Sequence, residues 1–376
     1  MAKTIPAQTE MVREANRSAL YQALLAGGTR TRTELAQQTG LSVPTVAAIV
    51  HEFCELGLVA EVGYEQSGGG RPAQLWQFKP EARWVLSLDL SGEVCQAGLT
   101  DLLGREHAQF AGPSLRPYDE GALTGWLAAL LERLEQGGKR IGRVSAAVPG
   151  VIDRASGRVH LAPALGWSDY ALAEVLARAC GREVVLENDV NALALAELHY
   201  GAAQGYEHVL CVAIGSGVGA GLILAGRLFH GAHSAAGEIG YSLLDAPQRQ
   251  TFGFEAPGPL EGRLLALSRA FVEGGRIVLG SAEERHAFEA FVEGLGRVLH
   301  NAVCLLDPQL VVIAWPCDMD GVVAARLQAC WCGPHPIRVA PSRLGSEGAR
   351  RGVARLALEA LRGEICASRE GRKVAT

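Results

Sequence analysis

Three observations predict an α/β protein of two unequal parts. The front segment holds three short helical stripes separated by glycine turns, strands alternate with helices from Trp84 onward, and that alternation begins again at Val184. A length of 376 residues agrees, since it exceeds one ordinary domain. The hydrophobic share of 48% against 20% charged residues belongs to a globular chain with a substantial core. A net charge of −5 excludes a polybasic coat over the whole molecule but leaves room for one local basic face. The opening MAKTIPAQTE has no apolar stretch, so no signal peptide is expected. The nine cysteines lack framework spacing and suit a reducing cytoplasm.

In the front segment, Ala19, Leu20, Ala23 and Leu24 form a helical stripe over Asn16–Ala26, which Gly27 and Gly28 end. Thr33 is expected to cap a second helix running through Gln38. After the turn at Thr39-Gly40-Leu41, Ser42 caps a third helix with Pro44 in its first turn. Its inward face is Val46, Ile49, Val50, Phe53 and Leu56. Strands at Leu58–Glu61 and Gln74–Phe78 then flank a tip, Gln66–Pro72. Together these make residues 1–80 a winged helix-turn-helix. The third helix would present Ser42, Val43, Thr45, Ala48 and Glu52 to base edges in the major groove, a set suited to thymine methyls and a few hydrogen bonds. Phosphate contact would fall to Arg13, Arg17, Arg30, Arg32 and the tip residue Arg71. Seven Lys/Arg against seven Asp/Glu leave this segment without net charge, which a protein-binding scaffold would also show.

Residues 81–376 read as two related lobes. Strands are expected at Val85–Asp89, Val94–Thr100 and Arg105–Gln109, a helix at Leu123–Glu135, and a strand at Val144–Val148 before Pro149-Gly150. The second series runs from a strand at Val184–Glu187 and a helix at Asn191–Tyr200 to strands at Val209–Ile214 and Gly219–Leu224. The uncharged run Val209–Gly226 is long enough to raise a membrane span, yet its central GSGVGAG fits two buried strands around a turn, and no membrane partner is expected. A duplicated fold of this kind binds small ligands between its lobes.

The motifs PGVID (Pro149–Asp153), LGW (Leu165–Trp167), ENDVNALALAE (Glu187–Glu197), GSGVGAG (Gly215–Gly221) and AAGEIG (Ala235–Gly240), with the winged helix before them, resemble the ROK family. The resemblance runs from about Asn16 to Leu361. It implies an actin-like, ribonuclease H-like sugar-kinase fold, shared by sugar-responsive repressors and sugar kinases, of which the repressors carry the winged helix. It also implies that Asn188, Asp189, Glu238 and Glu261 hold a sugar, with Gly150 and Tyr241 beside them and Asp189 at the catalytic-base position. Residues of these types fit, because sugar hydroxyls need groups that accept and donate hydrogen bonds. Taken without the resemblance, Asp189 is a helix cap and Glu238 a solvated loop carboxylate.

The phosphate loops depart from the family. Its Asp-x-Gly-Gly-Thr loop reads Asp89-Leu90-Ser91-Gly92-Glu93, with a carboxylate where threonine faces phosphate. The glycine triplet expected after Asp307–Ile313 reads Ala314-Trp315-Pro316. The zinc ligands are replaced by Tyr241, Phe252, Phe254 and Pro259, and an asparagine before LGW by Ala164. Cys330, Cys332 and His335 are too few for a separate metal clip, so no metal and no cofactor are expected. The resulting expectation is a non-enzymatic, cytoplasmic regulator that binds a palindromic operator as a homodimer or homotetramer and senses a sugar or sugar phosphate. An active kinase with a fused DNA-binding domain, and a ligand-independent regulator using the lobes as a scaffold, are the alternatives.

Overall fold

The computed structural model describes residues 5–65, 72–244, 257–318, 320–331 and 337–367. Arg71, Phe252, Phe254, Cys332 and His335 lie outside the described residues. The front unit consists of α1 (Ile5–Leu25), β1 (Thr29–Arg30), α2 (Arg32–Thr39), α3 (Val43–Glu55), β2 (Val59–Tyr64) and β3 (Gln74–Phe78), with the strands ordered β1-β3-β2. Three local expectations need correction. Helix α1 begins well before Asn16, and the expectation missed this because the apolar residues just ahead of Asn16, Met11 and Val12, are exposed and add nothing to the buried stripe. Strand β1, only two residues long, was not anticipated. The cap of α2 is Thr31 rather than Thr33: its Oγ1 accepts from the Glu34 N–H at 3.2 Å, and the Glu34 carboxylate accepts from the Thr31 N–H at 2.7 Å. Ser42 caps α3 as expected, accepting from the Thr45 N–H at 3.3 Å.

Lobe 1 comprises β4 (Trp84–Asp89), β5 (Val94–Asp101), β6 (Glu106–Ser114), α4 (Glu120–Gln136) and β7 (Ile141–Val148). A small antiparallel sheet of β8 (Val151–Asp153), β9 (Arg158–Ala162) and β10 (Trp167–Tyr170) follows, then α5 (Leu172–Cys180) and β11 (Val184–Asn188). Helix α6 (Asp189–Tyr200) leads into lobe 2. That lobe begins with β12 (Val209–Ile214), β13 (Val218–Leu224), β14 (Arg227–Phe229), α7 (Pro259–Ser268) and the short pair β15 (Val272–Glu273) and β16 (Arg276–Ile277). It ends with α8 (Ala282–Leu306), β17 (Leu310–Ala314), α9 (Val322–Cys330) and β18 (Arg338–Pro341), before α10 (Gly348–Cys366).

The two five-stranded sheets have one topology, β11-β7-β4-β5-β6 and β14-β13-β12-β17-β18. In each, the first three strands form an antiparallel meander, and the first strand pairs in parallel with the fourth, which pairs with the fifth. This is the duplication expected from the recurring pattern. The uncharged run around GSGVGAG is the β12–β13 hairpin, with Ile214 opposite Val218. No described helix is long and apolar enough to cross a membrane.

Each sheet is half of a core. Leu86 and Leu88 pack with Leu123 and Leu127 of α4, and Val212 and Ile214 with Phe291 and Leu295 of α8. Helix α6 lies against β13 of lobe 2, where a Cβ at Gly221 would overlap Ala194, and against α10. Helix α10 returns to cover lobe 1, and its far half joins the core of the front unit. One apolar cluster therefore holds Leu20, Tyr21 and Phe53 together with Leu358, Leu361 and Ile365.

Candidate functional site

The carboxyl ends of β4 and β11 meet the β12–β13 turn and the start of α7, and there the sequence has placed its acidic residues. Asn188 ends β11 and caps α6, its Oδ1 accepting from the Val190 and Asn191 N–H groups at 2.9 and 3.0 Å. Its amide nitrogen donates to the Gly150 carbonyl at 2.9 Å. The N-cap position that the bare sequence allowed for Asp189 thus belongs to its neighbour, while the Asp189 carboxylate, in the first turn, accepts from the same Val190 N–H at 3.0 Å. Gly150 sits at φ +95°, where a Cβ would overlap the Leu161 carbonyl, so its place beside the site is a backbone requirement.

The acidic side chains form a chain of mutual influence. Burial, then the Asp89 carboxylate, pushes Asp189 up to about 7, with Glu238 adding to the rise. Glu238 is raised by burial and by Glu261, and Glu261 by burial, against a hydrogen bond from the Val218 N–H. The Tyr241 phenol is raised by burial, Glu238 and Glu261. Glu261 also lies beside Gly217 and Gly240, so the glycine turn and the acidic group share one wall. Asp89, Asp189, Glu238, Tyr241 and Glu261 are therefore brought together, with Asn188 and Gly150 as their support. A carboxyl group near its midpoint at neutral pH both donates and accepts, which hydroxyl recognition needs.

A carboxyl group whose folded pKa is raised favours folding while protonated, and that stability is lost as pH rises from the ordinary value near 3.8 through about 7. Asp189→Asn, which keeps the neutral shape, should equal the wild type below that window. Above it the variant should be the more stable by about 1–3 kcal/mol, a range discounted for partial exposure. Urea unfolding at two pH values would show this, and an equal difference at both would refute it.

Sequence reasoning missed Glu187. Its buried carboxylate accepts from His230 Nε2 at 2.9 Å and Asn191 Nδ2 at 3.2 Å, and pairs with Arg154 Nε at 3.2 Å. His230 belongs to lobe 2 and Arg154 to lobe 1, so this group bridges the lobes. No spacing rule links residues so far apart in the chain.

In the loop after β4, the Asp89 carboxylate accepts from the Ser91 N–H and hydroxyl at 2.9 and 2.6 Å, and Glu93 is exposed. Trp315 turns inward and stacks on Phe291, with ring centroids 4.9 Å apart and planes 13° from parallel. Pro259 begins α7. No group of three or more His, Cys, Asp or Glu suited to a metal occurs among the described residues. A cavity of about 720 Å³ between α8 and α9 shares none of the acidic residues.

On the front unit, Ser42, Val43 and Ala48 are exposed along α3, and Thr45 is half-buried with its hydroxyl 2.8 Å from that of Ser42. Arg30 donates to the Thr29 carbonyl, and the Arg32 guanidinium lies 4.8 Å from the Trp76 ring centroid. Two expectations fail. Arg17 is 5% exposed and bonded to Glu52, so it does not face phosphate, and Glu52, engaged in that pair, does not face bases. A half-buried ion pair between α1 and α3 replaces two surface roles.

Residues 85–258 match the sequence model of the ROK family. The chain is 26% identical over 348 residues to the DNA-binding transcriptional dual regulator NagC of Escherichia coli K12 and to the N-acetylglucosamine repressor of Escherichia coli O157:H7, covering 85% of each. It is likewise 26% identical over 333 residues to the xylose repressor of Caldicellulosiruptor bescii, covering 81% of this chain and 83% of that one. Among solved structures, a ROK family transcriptional regulator described as a homolog of the E. coli MLC protein superposes with a TM-score of 0.74 at 20% identity, over 94% of this chain and 98% of that one. A ROK family glucokinase from Streptomyces griseus, in complex with glucose and AMPPNP, gives a TM-score of 0.61 at 23% identity, over 73% of this chain and 99% of its own.

Proposed function

The chain carries a ROK family domain, and on that premise we propose that it is a DNA-binding transcriptional repressor whose two lobes sense a sugar. The observation that carries this reading is coverage. The regulator fold is shared over 94% of the chain, whereas the glucokinase fold spans 73%, about the length of the two lobes. What remains is a helix-turn-helix with a wing, residues 1–80, ahead of a sensor at 81–376. Base contact falls to Ser42, Val43, Thr45 and Ala48, and phosphate contact to Arg13, Arg30, Arg32 and Arg71, on an operator bound by a homodimer or homotetramer. So few cations give a shallow salt dependence.

The effector is assigned to Asp189, Glu238, Tyr241 and Glu261. These groups favour hydroxyls and disfavour anions: at about 6 Å and an effective dielectric near 20, each of them that is ionised repels a phosphate charge by about 3 kcal/mol. A neutral sugar is therefore preferred over its phosphate. Kinase chemistry is lost in this reading, with Ser91 holding Asp89, Glu93 in the phosphate loop and Trp315 consumed by the core. The near-neutral Asp189 supports the one competing reading, an active kinase, because a general base works best near ambient pH.

The test has three arms on the full chain. Selection from a random duplex library should yield an operator on which Thr45→Ala costs about 1–3 kcal/mol, with non-specific binding unchanged. A thermal-shift panel should favour D-xylose or N-acetylglucosamine over their phosphates. ATP turnover with these sugars should stay at background. No enriched duplex would overturn DNA binding, a larger shift with a sugar phosphate would overturn the charge argument, and sugar-dependent turnover lost in Asp189→Ala would establish the kinase.

A further inference from the structure

Helix α10 is the element that touches both ends of the proposed regulator. Its Gly348 and Gly352, one turn apart, face α6. A Cβ at Gly352 would overlap the Ala192 carbonyl oxygen, and one at Gly348 would overlap Leu193. The two helices are therefore in backbone contact, close to the point where α6 starts with Asp189. A second tie joins the far part of α6 to the loop before α10. Glu197 of α6, fully buried, accepts through Oε1 from the Ser342 hydroxyl at 2.5 Å and from the Arg343 and Leu344 N–H groups at 3.0 Å each. These three residues lie in the loop that leads toward α10. Pinned at both places, α6 is locked to the first turns of α10, and the close packing leaves little room for one to move without the other.

The far half of α10 packs into the winged-helix core through residues such as Leu358, Leu361 and Ile365. Beyond its last turn, the Ala367 carbonyl accepts from Arg17 Nη1 at 3.1 Å. The same guanidinium donates through Nε, at 2.9 Å, and through Nη2 to the Glu52 carboxylate on α3. One buried cation thus clips the third helix of the winged unit to the end of α10.

We propose that α6, α10 and Arg17 form the coupling path of the protein, with Arg17 as the positioning residue that sets the aim of α3. Movement of the Asp189 end of α6 shifts α10, and Arg17 carries the shift to α3. Packed helices transmit displacement in this way because cores are bistable rather than compliant. This rests on the reading of the acidic cluster as effector site and of α3 as recognition helix, but the mechanical link stands on geometry alone.

Hydrogen exchange of the full chain, without DNA or sugar, tests the link directly. Leu193→Ala opens space between α6 and α10 and touches neither α1 nor α3, and Arg17→Met removes the clip while keeping bulk. Each is expected to speed exchange across Val43–Glu55 by about fivefold, roughly 1 kcal/mol of local opening, with α8 unchanged. The double variant should speed α3 no further than Arg17→Met alone, the signature of one shared path. Wild-type exchange in α3 of Leu193→Ala would overturn the proposal. So would additive effects, or a parallel rise in α8, since either marks general loosening. Failure to select an operator would instead overturn the functional reading and leave this pattern in place.

Discussion

Trp315→Gly is expected to lower stability by about 3–5 kcal/mol and to leave ATP turnover at background. Restoring one glycine of the triplet implied by the family resemblance would, on a surface view, reopen a nucleotide site. The structure argues otherwise. The indole is 8% exposed, stacks on Phe291 and meets Phe271 edge-on at 6.1 Å. It belongs to the same buried cluster as Leu295 and Ile313, so its removal opens a cavity in the center of lobe 2. A glycine there also adds freedom to the unfolded chain. Urea unfolding of variant and wild type gives the magnitude. An unchanged midpoint would show that the indole is dispensable to the core, and ATP turnover gained by the variant would show that the indole alone blocks the nucleotide.

Asp189→Ala should bind the selected operator like the wild type while losing about tenfold to a hundredfold in sugar affinity. A charge-assisted hydrogen bond to a hydroxyl contributes roughly 1.5–3 kcal/mol, which sets that range. Operator affinity is spared because the residue touches no part of the winged unit. Coupling requires the sugar to bind one state better than the other, so weaker binding moves the release curve to higher concentration. Operator release titrated with D-xylose and with N-acetylglucosamine, at one salt concentration, reads the shift. An unchanged midpoint in both Asp189→Ala and Glu238→Ala would remove the acidic cluster as the sensing site and favour the lobes as a scaffold.

Much of this architecture is legible in the chain because it is written in local patterns. Alternation and glycine turns located β12 and β13, and Ser42 with Pro44 announced α3. The errors share a cause. Thr31 and Thr33 both precede a helical stripe, but only Thr31 stands three residues before Glu34, and that spacing decides the cap. The stretch of α1 over residues 10–16 buries no residue fully, so it casts no periodic shadow. Arg17 looked like a surface cation because its carbonyl partner lies 350 positions away. Glu187 looked like a motif residue of no special burden, although it joins His230 of the other lobe. Long-range partners of charged groups are settled by topology, which no window of sequence contains.

The clip between Arg17 and Ala367 also fixes an order of events during synthesis. At typical ribosomal rates of about 5–20 residues per second, the two groups emerge roughly 20–70 s apart. Throughout that interval the winged unit lacks Leu358, Leu361 and Ile365, which complete its apolar floor. A nascent chain that has not reached Gly348–Cys366 therefore carries a third helix packed on α1 and α2 but not yet tied to α10. Message truncation or ribosome stalling would release fragments that hold the residues proposed to read bases without the α10 contacts that complete their core. Such fragments should be poor competitors for the operator and ready substrates for proteases.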